Sequence, residues 1–229
     1  MSLSFLDLLF PKRCVFCGKI DSYLCPLCLK KIRFCQFQVC PVCQKASITG
    51  AVHPRCRTKY SLDGLTSISQ FEGPVKAAIK KIKYKWVADL AEDLVGIVLE
   101  NLWKEKWLPD DKFTIISVPL SPRREKWRGF NQSALLGKIL AQKLELEFNG
   151  QILKKIKDTK PQVELSADER KKNLNEAFKV VDKSQVFGKS FLLVDDMVTT
   201  GSTLRNCAST LKRAGAKKVW ALTLARSAR

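Results

Sequence analysis

From residue 65 onward the apolar positions fall into short runs and helical stripes in turn, the pattern of a chain that alternates strands with helices. LTSISQF (65–71) reads as a strand and 74–85 as a helix, with Pro74 in the first turn, where its missing N–H is not needed. A second helix is predicted over 87–102. Leu90, Leu94, Ile97, Val98 and Asn101 recur there at three- and four-residue intervals, and Asp89, Glu92 and Asp93 sit near the positive end of the helix dipole. FTIISVPL (113–120) is a continuous apolar run of strand length, as a strand buried on both faces requires, and Pro119, Ser121 and Pro122 are read as loop. A helix over 134–146 and a strand over 151–156 follow. The long polar stretch 158–174, broken by Pro161, reads as a functional loop or as disorder. SFLLVDD (190–196) is a strand, 202–214 a helix stopped by Gly215, and 218–224 another strand. Strand, helix, strand in that order predicts a right-handed crossover and a parallel sheet, hence an α/β fold with flanking helices.

No such periodicity precedes residue 60. Eight of the nine cysteines lie there, and only Cys207 stands apart, which divides the chain into a Cys-rich domain over 1–60 and an α/β domain over 61–229. With 229 residues, 45% apolar and 28% charged, the composition is that of a folded protein and excludes a disordered tail, collagen or a coiled coil. A formal charge of +19 favours polyanionic partners: nucleic acid, phosphorylated metabolites or an anionic membrane face. The opening MSLSFLDLLFPKRC lacks the basic region of an export signal and is interrupted by Asp7, and no stretch approaches the roughly 20 apolar residues of a membrane helix. A reducing cytoplasm is expected, where paired cysteines read as metal ligands before disulfides.

Cys14-x2-Cys17-x7-Cys25-x2-Cys28 and Cys40-x2-Cys43-x9-His53-x2-Cys56 each supply two close pairs that can face one tetrahedral ion. The protein's single histidine falls where the second array needs a ligand. The plain alternative is a set of small buried hydrophobes. A segment of this size with few large side chains is short of a core, however, and structural zinc supplies about 10–16 kcal/mol in finger peptides. Two structural zinc ribbons are expected, with Cys35 spare and Cys207 packed in a core.

The densest chemical signal is LLVDDMVTTGST (192–203). A buried strand delivers Asp195 and Asp196 to its carboxyl end, after which Thr199, Thr200, Gly201, Ser202 and Thr203 turn into a helix. Small hydroxyl residues around a glycine let backbone N–H groups approach a phosphate, and the helix adds its positive end. The two carboxylates suit vicinal hydroxyls and a magnesium ion. Together they suit a sugar phosphate. A Walker B reading fails because the chain has no Gly-x4-Gly-Lys-Ser/Thr loop, and it has no Gly-x-Gly-x-x-Gly.

LLVDDMVTTGST resembles the 5-phosphoribosyl 1-pyrophosphate loop of type I phosphoribosyltransferases. With the Cys-rich amino end, the opening LLFPKRCVFCG, KAAIKKIKYK, PLSPRREKWRGFNQSALLG (119–137) and DTKPQVELSADERKKNLNEAF (158–178), the whole chain resembles the ComF competence family. His53 stands where that resemblance would have a cysteine. The resemblance implies a type I phosphoribosyltransferase fold behind a double zinc ribbon, with magnesium and phosphoribosyl pyrophosphate as substrate. It implies that Asp195 and Asp196 hold the ribose hydroxyls, that residues 199–203 hold the 5-phosphate, and that residues 121–124 form a pyrophosphate loop in which Arg123 and Arg124 face the leaving group. It also implies a hood loop over 158–173 with Thr159, Gln162 and Arg170. A solvated basic turn is the plain alternative for Arg123, Arg124 and Arg128.

Lys76, Lys80 and Lys83 share a helical stripe, with Lys81, Lys85, Tyr84 and Trp86 beside them. Charge with neighbouring rings suits single-stranded DNA, although a solvated helix face has the same composition. Three functions stand: an enzyme that displaces pyrophosphate, a single-stranded DNA factor for DNA uptake in transformation, and a sugar-phosphate sensor. The resemblance combines the first two and adds proteins of the DNA-uptake machinery as partners.

Overall fold

In the computed structural model, which describes residues 11–20, 22–84, 88–105, 109, 112–156 and 177–227, four strands build one parallel sheet. They are β3 (Gly64–Gln70), β4 (Phe113–Ser117), β7 (Ser190–Val198) and β8 (Lys218–Arg226), in the order β3-β8-β7-β4. All three neighbour pairs run parallel. Alternation along β7 feeds two separate cores. Leu192 and Val194 point to the face covered by α2 (Gly73–Tyr84), α3 (Ala88–Glu105) and α5 (Gln132–Leu144), which contribute Ile79, Ile82, Leu90, Leu94, Leu136 and Leu140. Phe191 and Leu193 point to the opposite face, where α6 (Ser202–Arg213) lays down Leu204, Cys207 and Leu211. Cys207 is thus core, as its position on a helix face implied. Among the described residues no helix is long and apolar enough to cross a membrane.

The amino-terminal segment holds α1 (Pro26–Leu29), a two-stranded antiparallel pair of β1 (Gln38–Val39) and β2 (Ala46–Ser47), and a 3-10 turn over Pro54–Cys56. It grips the outer edge of β3. Cys35 N donates to Ile68 O at 2.9 Å, Gln70 N to Arg33 O at 2.8 Å, Leu65 N to Gly50 O at 2.9 Å and Val52 N to Asp63 O at 2.8 Å. Gln38, 1% exposed, acts as a surrogate peptide, its Nε2 donating to Ser67 O at 3.0 Å and its Oε1 accepting from Ser67 N at 2.8 Å. Gly50 must be glycine: it holds φ +83°, and a Cβ would lie 2.1 Å from Leu65 O. An edge strand with open hydrogen-bonding groups invites foreign pairing, and here the ribbon covers it.

Two elements differ from the sequence expectation. Residues 121–124, read as loop, lead into and begin helix α4 (Pro122–Arg128), because Ser121 stands at its N-cap in an extended conformation, Pro122 fixes φ in the first turn and Gly129 ends it at φ +74°. The strand read over 151–156 shrinks to β5 (Leu153–Lys155) and pairs antiparallel with β6 (Phe178–Val180), apart from the main sheet. The expected hood loop with Thr159, Gln162 and Arg170, and also Lys85 and Trp86, lie outside the described residues.

Candidate functional site

Ser117 of β4 pairs with Val194 of β7 in parallel register, so the chain leaving β4 and the acids that follow Val194 emerge on one edge of the sheet. Such carboxyl edges are where open parallel sheets bind ligands. Arg123 and Arg124 stand exposed on α4 at that edge. Ser121, which precedes them at the N-cap of α4, is buried, and its Oγ has no hydrogen-bond partner among the described residues.

Asp195 is held from two sides. Its Oδ1 accepts from Ser133 Oγ at 2.8 Å and from Asp196 N at 2.9 Å. Ser133 is placed by Asn131, the N-cap of α5, whose Oδ1 accepts from Ser133 N at 2.9 Å while its Nδ2 donates to Val118 O at 3.0 Å. Burial, and after it the charge of Asp196, raises the Asp195 carboxyl to about 8 against the opposing bonds from Ser133 and the Asp196 amide.

Asp196 is 4% exposed, its Oδ1 accepts from Met197 N at 3.0 Å, and its Oδ2 faces Lys83 Nζ at 2.6 Å. This corrects the reading of Lys76, Lys80 and Lys83 as one exposed stripe. Lys76 and Lys80 are exposed, whereas Lys83 carries its charge inward on a four-carbon stem to the buried acid.

After β7, Thr199 and Thr200 are exposed and Gly201 adopts φ +71° as the N-cap of α6, with Ser202 and Thr203 in the first turn. The first turn of a helix offers free N–H groups to an anion. Thr200 Oγ1 donates to Ser202 Oγ at 3.1 Å. Arg205 Nη1 ties the turn to the ribbon, donating to Thr200 O at 2.7 Å and to Pro41 O at 3.0 Å.

In the ribbon, Cys14, Cys17, Cys25 and Cys28 bring four sulfurs within 4.8 Å of one another, and Cys40, Cys43, His53 and Cys56 do the same with three sulfurs and a ring nitrogen. His53 Nε2 lies 3.0 Å from Ala46 O and Nδ1 lies 3.4 Å from Cys43 Sγ, so the ring is oriented with Nδ1 toward the cluster. Burial works against ionisation of Cys14 and Cys40, yet backbone donors around them bring their thiols down to about 6 and about 7. Burial and then the neighbouring thiols push Cys28 up to about 12 and Cys56 to about 11. Four crowded sulfurs cannot all ionise without a cation between them, which fits a tetrahedral metal. Cys35 belongs to neither cluster and is 2% exposed.

A cleft of about 380 Å³ lies where the ribbon meets the carboxyl ends of β3, β7 and β8, lined by Arg33, Phe37, Gln44, Gln70, Thr199 and Arg226 among others. The Arg226 guanidinium sits 4.9 Å from the Phe37 ring centroid. Sequence reasoning missed the pairing of Lys83 with Asp196, the roles of Ser133 and Arg205, and this cleft. Only Asn131 carried a readable signal, as a helix N-cap.

Residues 131–229 match the phosphoribosyl transferase domain family and residues 5–57 the double zinc ribbon domain family. The chain is 34% identical to DNA utilization protein YhgH of Salmonella typhimurium, over 87% of this chain and 96% of the relative. It is 30% identical to competence protein F of Haemophilus influenzae, over 95% of this chain and 98% of the relative. Competence protein ComFC of Bacillus subtilis matches at 27% identity over 94% and 89% of the two chains.

Proposed function

The chain belongs to the family of DNA utilization protein YhgH and competence protein F, a phosphoribosyl transferase domain behind a double zinc ribbon, and from that premise we propose that it binds 5-phosphoribosyl 1-pyrophosphate with magnesium. The observation that carries this reading is the carboxyl edge itself, with an acid pair at the end of β7 and, a few residues on, the Gly201 turn into α6. Asp195 and Asp196 accept the ribose hydroxyls. The N–H groups and hydroxyls of Thr199, Thr200, Gly201, Ser202 and Thr203 take the 5-phosphate. Arg123 and Arg124, exposed on α4, supply charge to the pyrophosphate as it departs.

Asp196 is committed to Lys83, so of the acid pair Asp195 is the carboxylate that would face a magnesium ion bound with the diphosphate. When bound, that ion neutralises charge on the leaving group. The two Cys-rich clusters would each hold a structural zinc ion through four ligands.

Asp195→Asn and Asp196→Asn test the sugar-phosphate site. Each keeps the shape and removes an acidic acceptor, so affinity for phosphoribosyl pyrophosphate falls by roughly 2–5 kcal/mol, measured by calorimetry with magnesium present near pH 9, where the Asp195 carboxyl is charged. Undiminished binding by both variants rejects the site. Pyrophosphate release measured in the same samples separates transfer to an acceptor from sensing of the sugar phosphate.

Handling of single-stranded DNA in DNA uptake, in the cytoplasm and alongside other proteins of that machinery, is the second part of the proposal. It is supported by the charge of +19 and by Lys76 and Lys80 on the open face of α2, with the Lys76 ammonium 5.9 Å from the Phe71 ring centroid. Binding of oligo-dT then weakens steeply with salt, each contacted phosphate contributing a slope of about −0.7, and Lys76→Ala with Lys80→Ala flattens it. Salt-insensitive or absent binding refutes the DNA reading and leaves the sugar-phosphate site standing.

A further inference from the structure

We propose that Lys83 is a built-in counter-ion that keeps the acid pair selective for hydroxyl groups by denying it to free divalent cations. The inference rests on the sugar-phosphate reading of Asp195 and Asp196 for its purpose, although not for its test. Two neighbouring carboxylates at the mouth of a parallel sheet are, by charge alone, a trap for magnesium, manganese or calcium. A cation held there without its phosphates would occupy the oxygens that the ribose needs.

The surroundings decide otherwise. Lys83 Nζ lies 2.6 Å from Asp196 Oδ2, and the two side chains are 20% and 5% exposed, so this is an ion pair largely withdrawn from water. Buried pairs of this kind contribute little net stability compared with well-packed apolar side chains, so stability alone is a poor reason for one at the site. What the ammonium does is cut the negative charge of the pair and fill the Asp196 oxygen that a metal would need. Asp195 Oδ1 is in turn taken by Ser133 and the Asp196 amide. The remaining acceptor capacity suits O–H donors, which bring no net charge, better than a bare cation that must shed water to enter. An ammonium on a flexible stem serves this purpose better than a guanidinium, since a point charge fills one oxygen without claiming both.

The test uses full-length, zinc-loaded protein and Mn2+ alone, with free ion followed by electron paramagnetic resonance. Lys83→Met, of similar volume and uncharged, gains one Mn2+ site at least about tenfold tighter than any in the parent, as removal of an adjacent positive charge requires. The double variant Lys83→Met with Asp196→Asn loses that site again. Lys83→Gln keeps a donor for Asp196 and gives the same gain if the Met variant does not fold. Parent protein that binds Mn2+ as tightly as the Lys83 variants, or a gain that survives Asp196→Asn, overturns the proposal. Ribose 5-phosphate binding to the parent without metal is measured separately, and its failure strikes the sugar-phosphate reading while the Mn2+ result still judges the counter-ion.

Discussion

Replacing Ser133 by Ala removes one hydroxyl, 1% exposed, from a carboxylate it touches at 2.8 Å, and its effect is predicted to grow with pH. Asp195 is raised from the ordinary 3.8 to about 8, foremost by burial and next by Asp196. A folded-state pKa above the unfolded one means that the native protein holds its proton longer, so the carboxyl's contribution to stability is lost as pH rises from about 4 toward about 8. Below that window Asp195 is protonated in both states, and near pH 6 it is still protonated in the fold. There, loss of the Ser133 bond costs about 1 kcal/mol, a neutral hydrogen bond. Near pH 9 the folded carboxyl is charged and the same deletion costs about 1.5–3 kcal/mol, an excess over the neutral bond of about 0.5–2 kcal/mol, which at 1.36 kcal/mol per unit moves its titration upward by about 0.4–1.5 pH units. Urea unfolding of parent and variant at pH 6 and pH 9 gives the two differences directly, and Asp195→Asn should remove the slope between them. A Ser133→Ala penalty that is equal at both pH values, or larger at pH 6, refutes the electrostatic account of this contact.

Two further outcomes follow from the geometry. Gly201→Val should weaken phosphoribosyl pyrophosphate binding and cost about 1–3 kcal/mol of stability, because φ is +71° there and a new Cβ would stand 3.2 Å from Arg205 Nη1, and thermal unfolding indistinguishable from the parent contradicts it. Metal analysis should find two zinc ions per chain, and stripping them should lower the unfolding temperature of the whole protein and not of the ribbon alone, since four backbone bonds from β3 and its flanking residues and both bonds of Gln38 depend on the ribbon's shape. A sheet that melts unchanged after chelation counts against that coupling.

The core was readable wherever a local period carried the information. FTIISVPL announces a strand by continuous apolar character, LTSISQF and SFLLVDD read as strands as well, and the cysteine spacings announce two clusters that the fold does assemble. Pro122 and Gly129 also mark helix α4, which a reading of proline as loop overlooks. What no local pattern could reveal are the contacts made across the fold. Lys83 sits on the same stripe as Lys76 and Lys80, and nothing in that spacing says that the stem of the last one bends toward an acid 113 positions away. The Arg205 bridge to Pro41 spans 164 positions, and the Ser133 bond to Asp195 spans 62. Such pairs are set by topology, which the period of a sequence does not encode.

In the order β3-β8-β7-β4 the strand that comes latest in the chain lies inside the sheet, between β3, made much earlier, and β7, made just before it. Gly64 pairs with Trp220, so β3 waits through more than 150 residues of synthesis for its neighbour. At the ribosome, the ribbon is the first part made, and it can occupy one side of β3 while the other side is still bare. Assembly therefore ends by inserting β8 into a slot rather than by adding a strand at a rim, a step of high contact order and correspondingly slow. Loss of β8 would not trim this sheet; it would split it, separating the ribbon and β3 from the strand that carries the acid pair.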